Sequence, residues 1–172
     1  MTAPAEAPVI RPLLADEWPE LRDVRIQALE DSPDAFSFTA AEARQQHDSY
    51  WQRWAAGSPD GRRSVFIVEH HGKLQGLGSA VLSDDRIGHV GAMWLAPSLR
   101  GTGLGGQLFD AVRGFLLQLD PVAVVLTVTE TNAPAISLYR SRGFEFTGVA
   151  TPLRPGSPLQ NLEMKQDLLP QD

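Results

Sequence analysis

The stretch Arg100-Gly101-Thr102-Gly103-Leu104-Gly105-Gly106 stands between an apolar strand pattern and a helix pattern, and few folds accommodate that arrangement. Residues 87–95 read as the strand, and Leu104, Leu108, Ala111 and Phe115 share one face of the next helix. A helix leaves its first backbone N–H groups unpaired, and its dipole puts partial positive charge there, so such a start attracts an anion. Gly101, Gly103, Gly105 and Gly106 carry no Cβ to keep a phosphate away, and glycine accepts positive φ. Arg100 adds a charged partner for a pyrophosphate, and Thr102 a hydroxyl.

A rival reading uses the same glycines. Gly101, Gly103 and Gly106 satisfy the dinucleotide fingerprint G-x-G-x-x-G, and Glu130 lies roughly where the ribose-binding acid belongs. That fingerprint normally sits in a doubly wound parallel sheet. Here several strands with hairpin-like turns precede the loop, and the remaining chain is too short for a second mononucleotide-binding half. A nicotinamide-dependent oxidoreductase is therefore the weakest of the functional readings. No Gly-Lys-Ser/Thr comes after the glycines, so the loop is not a Walker A loop either.

The rest of the chain sets the context. Its 172 residues suit one domain, expected over residues 9–172, with residues 1–8 as a disordered Ala- and Pro-rich arm. The net charge of −6 argues against non-specific nucleic-acid or membrane binding. The sequence has no cysteine, so a thiolate metal site and an acyl-cysteine mechanism are excluded. No metal site is expected: His70 and His71 fall in a turn and lack a matching cluster. There is no apolar run of the ~20 residues that span a bilayer, and no secretory signal pattern, so a cytoplasmic location is expected.

Residues 9–13 read as a first strand. Asp16 can cap a helix carrying Pro19 in its first turn, with Trp18, Leu21, Val24 and Ala28 on one face. Asp31-Ser32-Pro33 breaks it, and the spacing predicts a second helix over 40–55. Residues 65–69, 74–82 and 87–95 read as antiparallel strands, with Gly76 and Gly78 weakening or bulging the second. Residues 122–128 form a nearly continuous apolar strand, as expected when both faces are buried. Asn132 can cap a further helix that ends at Gly143, and residues 144–149 and 161–168 complete the strands. The prediction is an α+β domain: a central mixed, mostly antiparallel seven-stranded sheet flanked by about four helices.

Asn132 to Phe144 is the second informative stretch. Tyr139 lies about two helical turns beyond Asn132, roughly on the same face. Asn132 can offer an amide to a long ligand and Tyr139 a phenol proton; a capping Asn and a core Tyr is the competing reading. Together, Met93-Trp94-Leu95-Ala96-Pro97-Ser98-Leu99-Arg100-Gly101-Thr102-Gly103-Leu104-Gly105 and the Asn132…Ala…Leu-Tyr…Gly-Phe144 segment closely resemble the two motifs of the GNAT superfamily of N-acetyltransferases. The stretch from Arg25 to Phe36 is similar to the first-helix region of many bacterial members.

The resemblance implies acetyl-CoA as co-substrate and direct attack of a primary amine on its thioester. The backbone of Met93, Trp94 and Leu95 would pair with the pantetheine arm, beside a strand splayed from residues 122–128. The N–H groups of Gly101, Thr102, Gly103, Leu104, Gly105 and Gly106 would hold the pyrophosphate with Arg100 alongside. Asn132 would contact the pantetheine, and Tyr139 would protonate the leaving thiolate. Some members take the amine proton with a Glu on the strand before the loop, and residues 87–95 hold none. Glu130 is the first candidate base, with His89, Glu69 or a water chain as alternatives. Phe36, Phe38, Tyr50, Trp51 and Trp54 could line the acceptor pocket, residues 151–158 could close over it, and Arg154 could bind an acidic acceptor or be solvated. The acceptor is expected to be a small-molecule amine, an amino-acid derivative or a protein N-terminus. Many members pair, so a homodimer is one expectation. A non-catalytic acyl-CoA-binding module on the same fold is the alternative.

Overall fold

In a computed structural model, which describes residues 6–168, the chain runs β1 (Val9–Pro12), α1 (Trp18–Asp31), α2 (Ala40–Arg44), α3 (Asp48–Ala56), β2 (Arg63–His70), β3 (Lys73–Leu82), β4 (Ile87–Leu95), α4 (Leu104–Gln118), β5 (Ala123–Thr129), α5 (Ala133–Ser141), β6 (Glu145–Pro152) and β7 (Gln160–Asp167). All seven strands join one sheet in the order β1-β2-β3-β4-β5-β7-β6. Among the described residues β4 and β5 are the one parallel pair, joined by the α4 crossover; every other pairing is antiparallel. The doubly wound sheet of a dinucleotide-binding fold is thus not what carries the Gly-rich loop. Of the expected N-terminal arm, residues 1–5 lie outside the described residues, and residues 6–8 precede β1 without regular structure.

The period-2 alternation of β2 explains why the sheet is covered on both sides. Val65 and Ile67 join a core with Leu21, Val24 and Ala28 of α1 and Trp51 of α3. Val68 points the other way, into a core with Leu108, Phe109, Val112 and Leu116 of α4 and Tyr139 of α5. The buried stripe of α4 is Leu104, Leu108, Phe109, Val112 and Leu116, whereas Ala111 and Phe115, expected on that face, are only partly covered.

The helix expected over 40–55 is two, which brings the expected count of about four α-helices to five among the described residues. Thr39 and Glu42 form a reciprocal capping box that starts α2, and the chain turns extended at His47 before α3. The break lets Ala43 of α2 and Trp51 of α3 both reach complete burial in the same core as α1. Asp16 does not cap α1. It lies in a 3-10 turn, and Glu17 instead accepts the Leu14 N–H at 2.8 Å and the Arg11 guanidinium at 2.6 Å.

Candidate functional site

The parallel pair opens after a short contact. Ile87, Gly88 and His89 pair with Ala123, Val124 and Val125, and beyond them the two strands part. A bulge in β4 bends it away. Ser79 pairs with Gly91 and Leu77 with Trp94, so one residue of β3 faces both Ala92 and Met93. Ala92 takes φ +54°, a conformation that a side chain disfavours. Gly78 makes room for the bulge, since a Cβ there would stand 2.6 Å from Met93 Sδ and 2.9 Å from Val112 Cγ2.

At the near end of this opening lies the Gly-rich loop. Gly101 and Gly103 have φ +73° and +86°, and Gly103 caps α4 without any side-chain bond. The first helical bond runs from Gln107 N to Gly103 O at 3.2 Å, so the N–H groups of Leu104, Gly105 and Gly106 have no acceptor within the helix. A Cβ on Gly105 would meet nothing within 4 Å. Gly106 has a packing reason instead, because its Cβ would stand 2.6 Å from Arg142 Nη2 of the neighbouring segment. Thr102 spends its hydroxyl inside the turn, donating to Leu99 O at 2.6 Å. Arg100 is engaged as well: Nε donates to Leu95 O at 3.0 Å and Nη2 to Asp31 Oδ2 at 2.5 Å.

Two cavities run along the opening. The larger, about 530 Å³, is lined by Met93, Trp94, Leu95, Arg100, Gly101 and Gly105 together with Asn132, Leu138 and Tyr139. The smaller, about 230 Å³, lies between the parted strands, against Val90, Gly91, Ala92, Leu126 and Thr129, with Arg25 and Phe36. Ala35, Met93, Asn132 and Tyr139 line both, so the two cavities adjoin along the way from the α4 N-terminus to the splay.

Tyr139 is 6% exposed, with Phe109 and Phe144 at ring distances of 5.1 and 6.4 Å. Burial pushes its phenol up to about 12, so it is neutral and able to donate at ordinary pH. Asn132 is the N-cap of α5, its Oδ1 accepting the Ala135 N–H at 3.4 Å, while it also lines both cavities. The competing readings of this pair are therefore both visible, since each residue serves the fold and lines the cavities. Glu130 is brought to neither cavity. It is exposed and accepts the Gln160 N–H at 3.1 Å, one residue beyond cavity-lining Thr129. Glu69 is paired with Arg11 at 2.7 Å, and His89 is exposed. Among the described residues no carboxylate and no imidazole lines either cavity.

Of the aromatic residues expected at the acceptor pocket, Phe36 lines the smaller cavity. Trp51 is core, and Tyr50 and Trp54 flank a separate surface pocket. Arg154 is partly covered and donates to the carbonyls of Pro33 and Phe36, the latter at 3.1 Å, while its Nε is buried without a partner. With Thr129 Oγ1 donating to Asp34 O at 2.6 Å, it fixes residues 33–36 over the splay. The residue that sequence reasoning passes over is Arg25. Leu21, Val24, Arg25 and Ala28 fall at helical spacing, so an arginine on the apolar stripe is the available signal. Asp31, too, reads in the sequence only as a helix breaker.

Comparisons with known proteins agree with this geometry. A family model described as Acetyltransferase (GNAT) family matches residues 17–144. The mycothiol acetyltransferase of Thermomonospora curvata is 33% identical over 129 residues, covering 75% of this chain and 40% of the relative. An uncharacterised N-acetyltransferase of Mycobacterium tuberculosis is 28% identical over 99 residues, covering 58% of this chain and 64% of the relative. The chain thus spans less than two thirds of the length of either relative. Among solved structures, the yncA protein of Salmonella typhimurium, determined with its cofactor acetyl-CoA, superposes with a TM-score of 0.79 at 18% identity, covering 97% of both chains. The ribosomal-protein-alanine N-acetyltransferase of Brucella melitensis superposes with a TM-score of 0.74 at 21% identity, covering 93% of this chain and 99% of that one.

Proposed function

The chain belongs to the GNAT acetyltransferase family, and from that premise we propose that it is an N-acetyltransferase that carries an acetyl group from acetyl-CoA to a primary amine by direct attack. The observation that carries the reading is the pair of adjoining cavities, in which a helix start with free N–H groups borders one and Met93, Asn132 and Tyr139 are shared with the second.

The residues fit the group on chemical grounds. The N–H groups of Leu104, Gly105 and Gly106 suit a pyrophosphate, and the open side of Gly105 lets it approach. The unpaired β4 edge at Met93–Leu95 suits the amides of a pantetheine arm. Acetyl-CoA supplies the activated thioester that the amine attacks. Asn132 and the splayed strands fix the approach, and positioning of this kind supplies much of the rate of such a reaction. Tyr139, neutral at ordinary pH, donates the proton that the departing sulfur takes. The ammonium proton leaves through water, with the exposed Glu130 carboxylate past the end of β5 as the base that finally accepts it.

The missing carboxylate or imidazole on the cavities favours one second reading, an acyl-CoA-binding module that does not turn over. Calorimetric titration with acetyl-CoA, and separately with a nicotinamide dinucleotide, tests the cofactor. Thiol release over an amine panel then tests turnover. Micromolar acetyl-CoA binding with thiol release supports the enzyme. Binding with no release over a broad panel supports the module, and no binding removes both.

A further inference from the structure

We propose that Arg25 holds the carboxylate of the acceptor, so that the amine acetylated here is that of a free amino acid or a similarly small amino-carboxylate; this deepens, and rests on, the acetyltransferase reading above.

Arg25 projects from α1 and is only 7% exposed. Its Nε and Nη1 are buried with no hydrogen-bond partner. The guanidinium lies 4.5 Å over the Phe36 ring and 5.9 Å from the Trp54 ring, two aromatic faces that hold its plane without neutralising it. Phe36 is in turn held through its carbonyl by Arg154. Among the described residues no acidic side chain lines the cavity beside Arg25. Arg25 is thus a buried cation with unused donors on a residue that lines the cavity, and such a group suits an anion.

This anion site is not the pyrophosphate site. Arg25 lines only the smaller cavity, whereas Arg100, Gly101 and Gly105 line only the larger. The space is about 230 Å³, the scale of a small metabolite rather than a folded chain end. A carboxylate matches the planar fork of a guanidinium in two parallel hydrogen bonds. The amine of the same molecule would then face away from Arg25, toward Met93 and Tyr139, where the two cavities meet. A polyamine or a polycationic sugar would meet an unneutralised charge. A protein N-terminus offers an amide where the free carboxylate is needed.

The test measures binding without turnover. In the presence of saturating CoA, small L-amino acids and their carboxamides are titrated calorimetrically into the wild type, Arg25→Gln and Arg25→Lys. The acids are expected to bind at least about 30-fold more tightly than the amides in the wild type. That preference should vanish in Arg25→Gln and survive in part in Arg25→Lys, with CoA affinity unchanged in both as the check on folding. Amides bound as tightly as acids, acids that do not bind, or a preference that persists in Arg25→Gln would each overturn the proposal. A wild type that prefers acids yet fails to bind acetyl-CoA would instead overturn the acetyltransferase reading.

Discussion

Asp31, the last residue of α1, and Arg100, the residue before the Gly-rich loop, are joined by a 2.5 Å ion pair that ties the end of α1 to the start of that loop. The same Asp31 oxygen accepts from Ser32 Oγ at 2.7 Å and Trp94 Nε1 at 3.0 Å. These bonds, Ser32 first and then Trp94 and Arg100, hold the Asp31 carboxyl below the usual carboxylate range. On the proposed function Arg100 has two claims on it, one from Asp31 and one from the pyrophosphate. Asp31→Asn releases Arg100 and removes a negative charge from beside the phosphate site. Acetyl-CoA affinity should rise several-fold, while Arg100→Gln should lower it about 10-fold. Equal weakening in both variants would mean that the pair positions the loop and that Arg100 is not a phosphate ligand. Because the folded carboxyl titrates below the unfolded one, what the pair adds to stability is present above about pH 4 and is lost only as pH falls through the depressed value.

Gly105 separates ligand contact from packing. It has no positive φ, and its Cβ would meet nothing within 4 Å. In the first turn of α4, Ala is the better helix former by about 1 kcal/mol. Gly105→Ala should therefore unfold at a slightly higher temperature and yet bind acetyl-CoA at least 10-fold more weakly, an affinity cost of about 1.4 kcal/mol. Gly106→Ala is the control: its Cβ meets only the tip of the Arg142 side chain, which can swing aside at the cost of its 3.1 Å bond to Asp110, so stability should change little while the anion site is less affected. Thermal melts with and without acetyl-CoA read both. An undiminished affinity in Gly105→Ala would mean that the pyrophosphate does not approach there.

Much of this is legible in the sequence, for identifiable reasons. The α4 start, the buried β5 and the Asn132 cap each arise from local pattern: glycines before an apolar stripe, a continuous apolar run, and a capping side chain before Pro134. The bulge at Ala92 is not legible. An alanine at positive φ has no local signal, and the shift of register depends on Gly78 in another strand meeting Met93. The break between α2 and α3 is hidden for a related reason: helical periodicity continues through it, and packing against α1 decides the matter. Arg25 sits within a recognisable segment, but its lack of a partner is a property of all the elements around it.

Gly78 turns that hidden contact into a measurement. Gly78→Ala forces Met93 away from β3, toward the two cavities that Met93 lines. Overpacking of this kind costs about 1–3 kcal/mol. Urea unfolding should register that loss, and acetyl-CoA affinity should fall with it. A variant as stable as the wild type with unchanged affinity would show that the bulge adjusts without narrowing the splay.

Tyr139→Phe keeps the ring that packs on Phe109 and Phe144 and removes only the phenol. Acetyl-CoA affinity should stay within about 2-fold, and kcat should fall about 100-fold, the usual worth of a positioned acid. With the wild-type phenol pushed up to about 12, its neutral form persists through any practical assay. The wild-type kcat profile should thus have no descending limb from Tyr139 below about pH 11. An unchanged kcat in the variant would move the thiolate's proton source to water.

Arg25 ought to weaken the fold that carries it. Burial pushes its guanidinium down to about 10 from 12.5, a preference for the neutral form worth ~3 kcal/mol. The aromatic faces of Phe36 and Trp54 return about 1 kcal/mol of that. Arg25→Met, apolar and of similar length, should therefore stabilise the protein by about 2 kcal/mol in urea unfolding while losing the acceptor's carboxylate. The sign fixes the pH dependence. Below about pH 10 both folded and unfolded chains hold the proton, so the penalty is full and constant; it is relieved only as pH rises above the folded value, where the unfolded chain still binds the proton. The stability gap between Arg25→Met and the wild type should then be flat from pH 6 to 9 and should close when a bound carboxylate neutralises the wild-type cation. A less stable Arg25→Met would mean that the aromatic faces satisfy the guanidinium by themselves, and the argument for an anion at this site would lose its energetic basis.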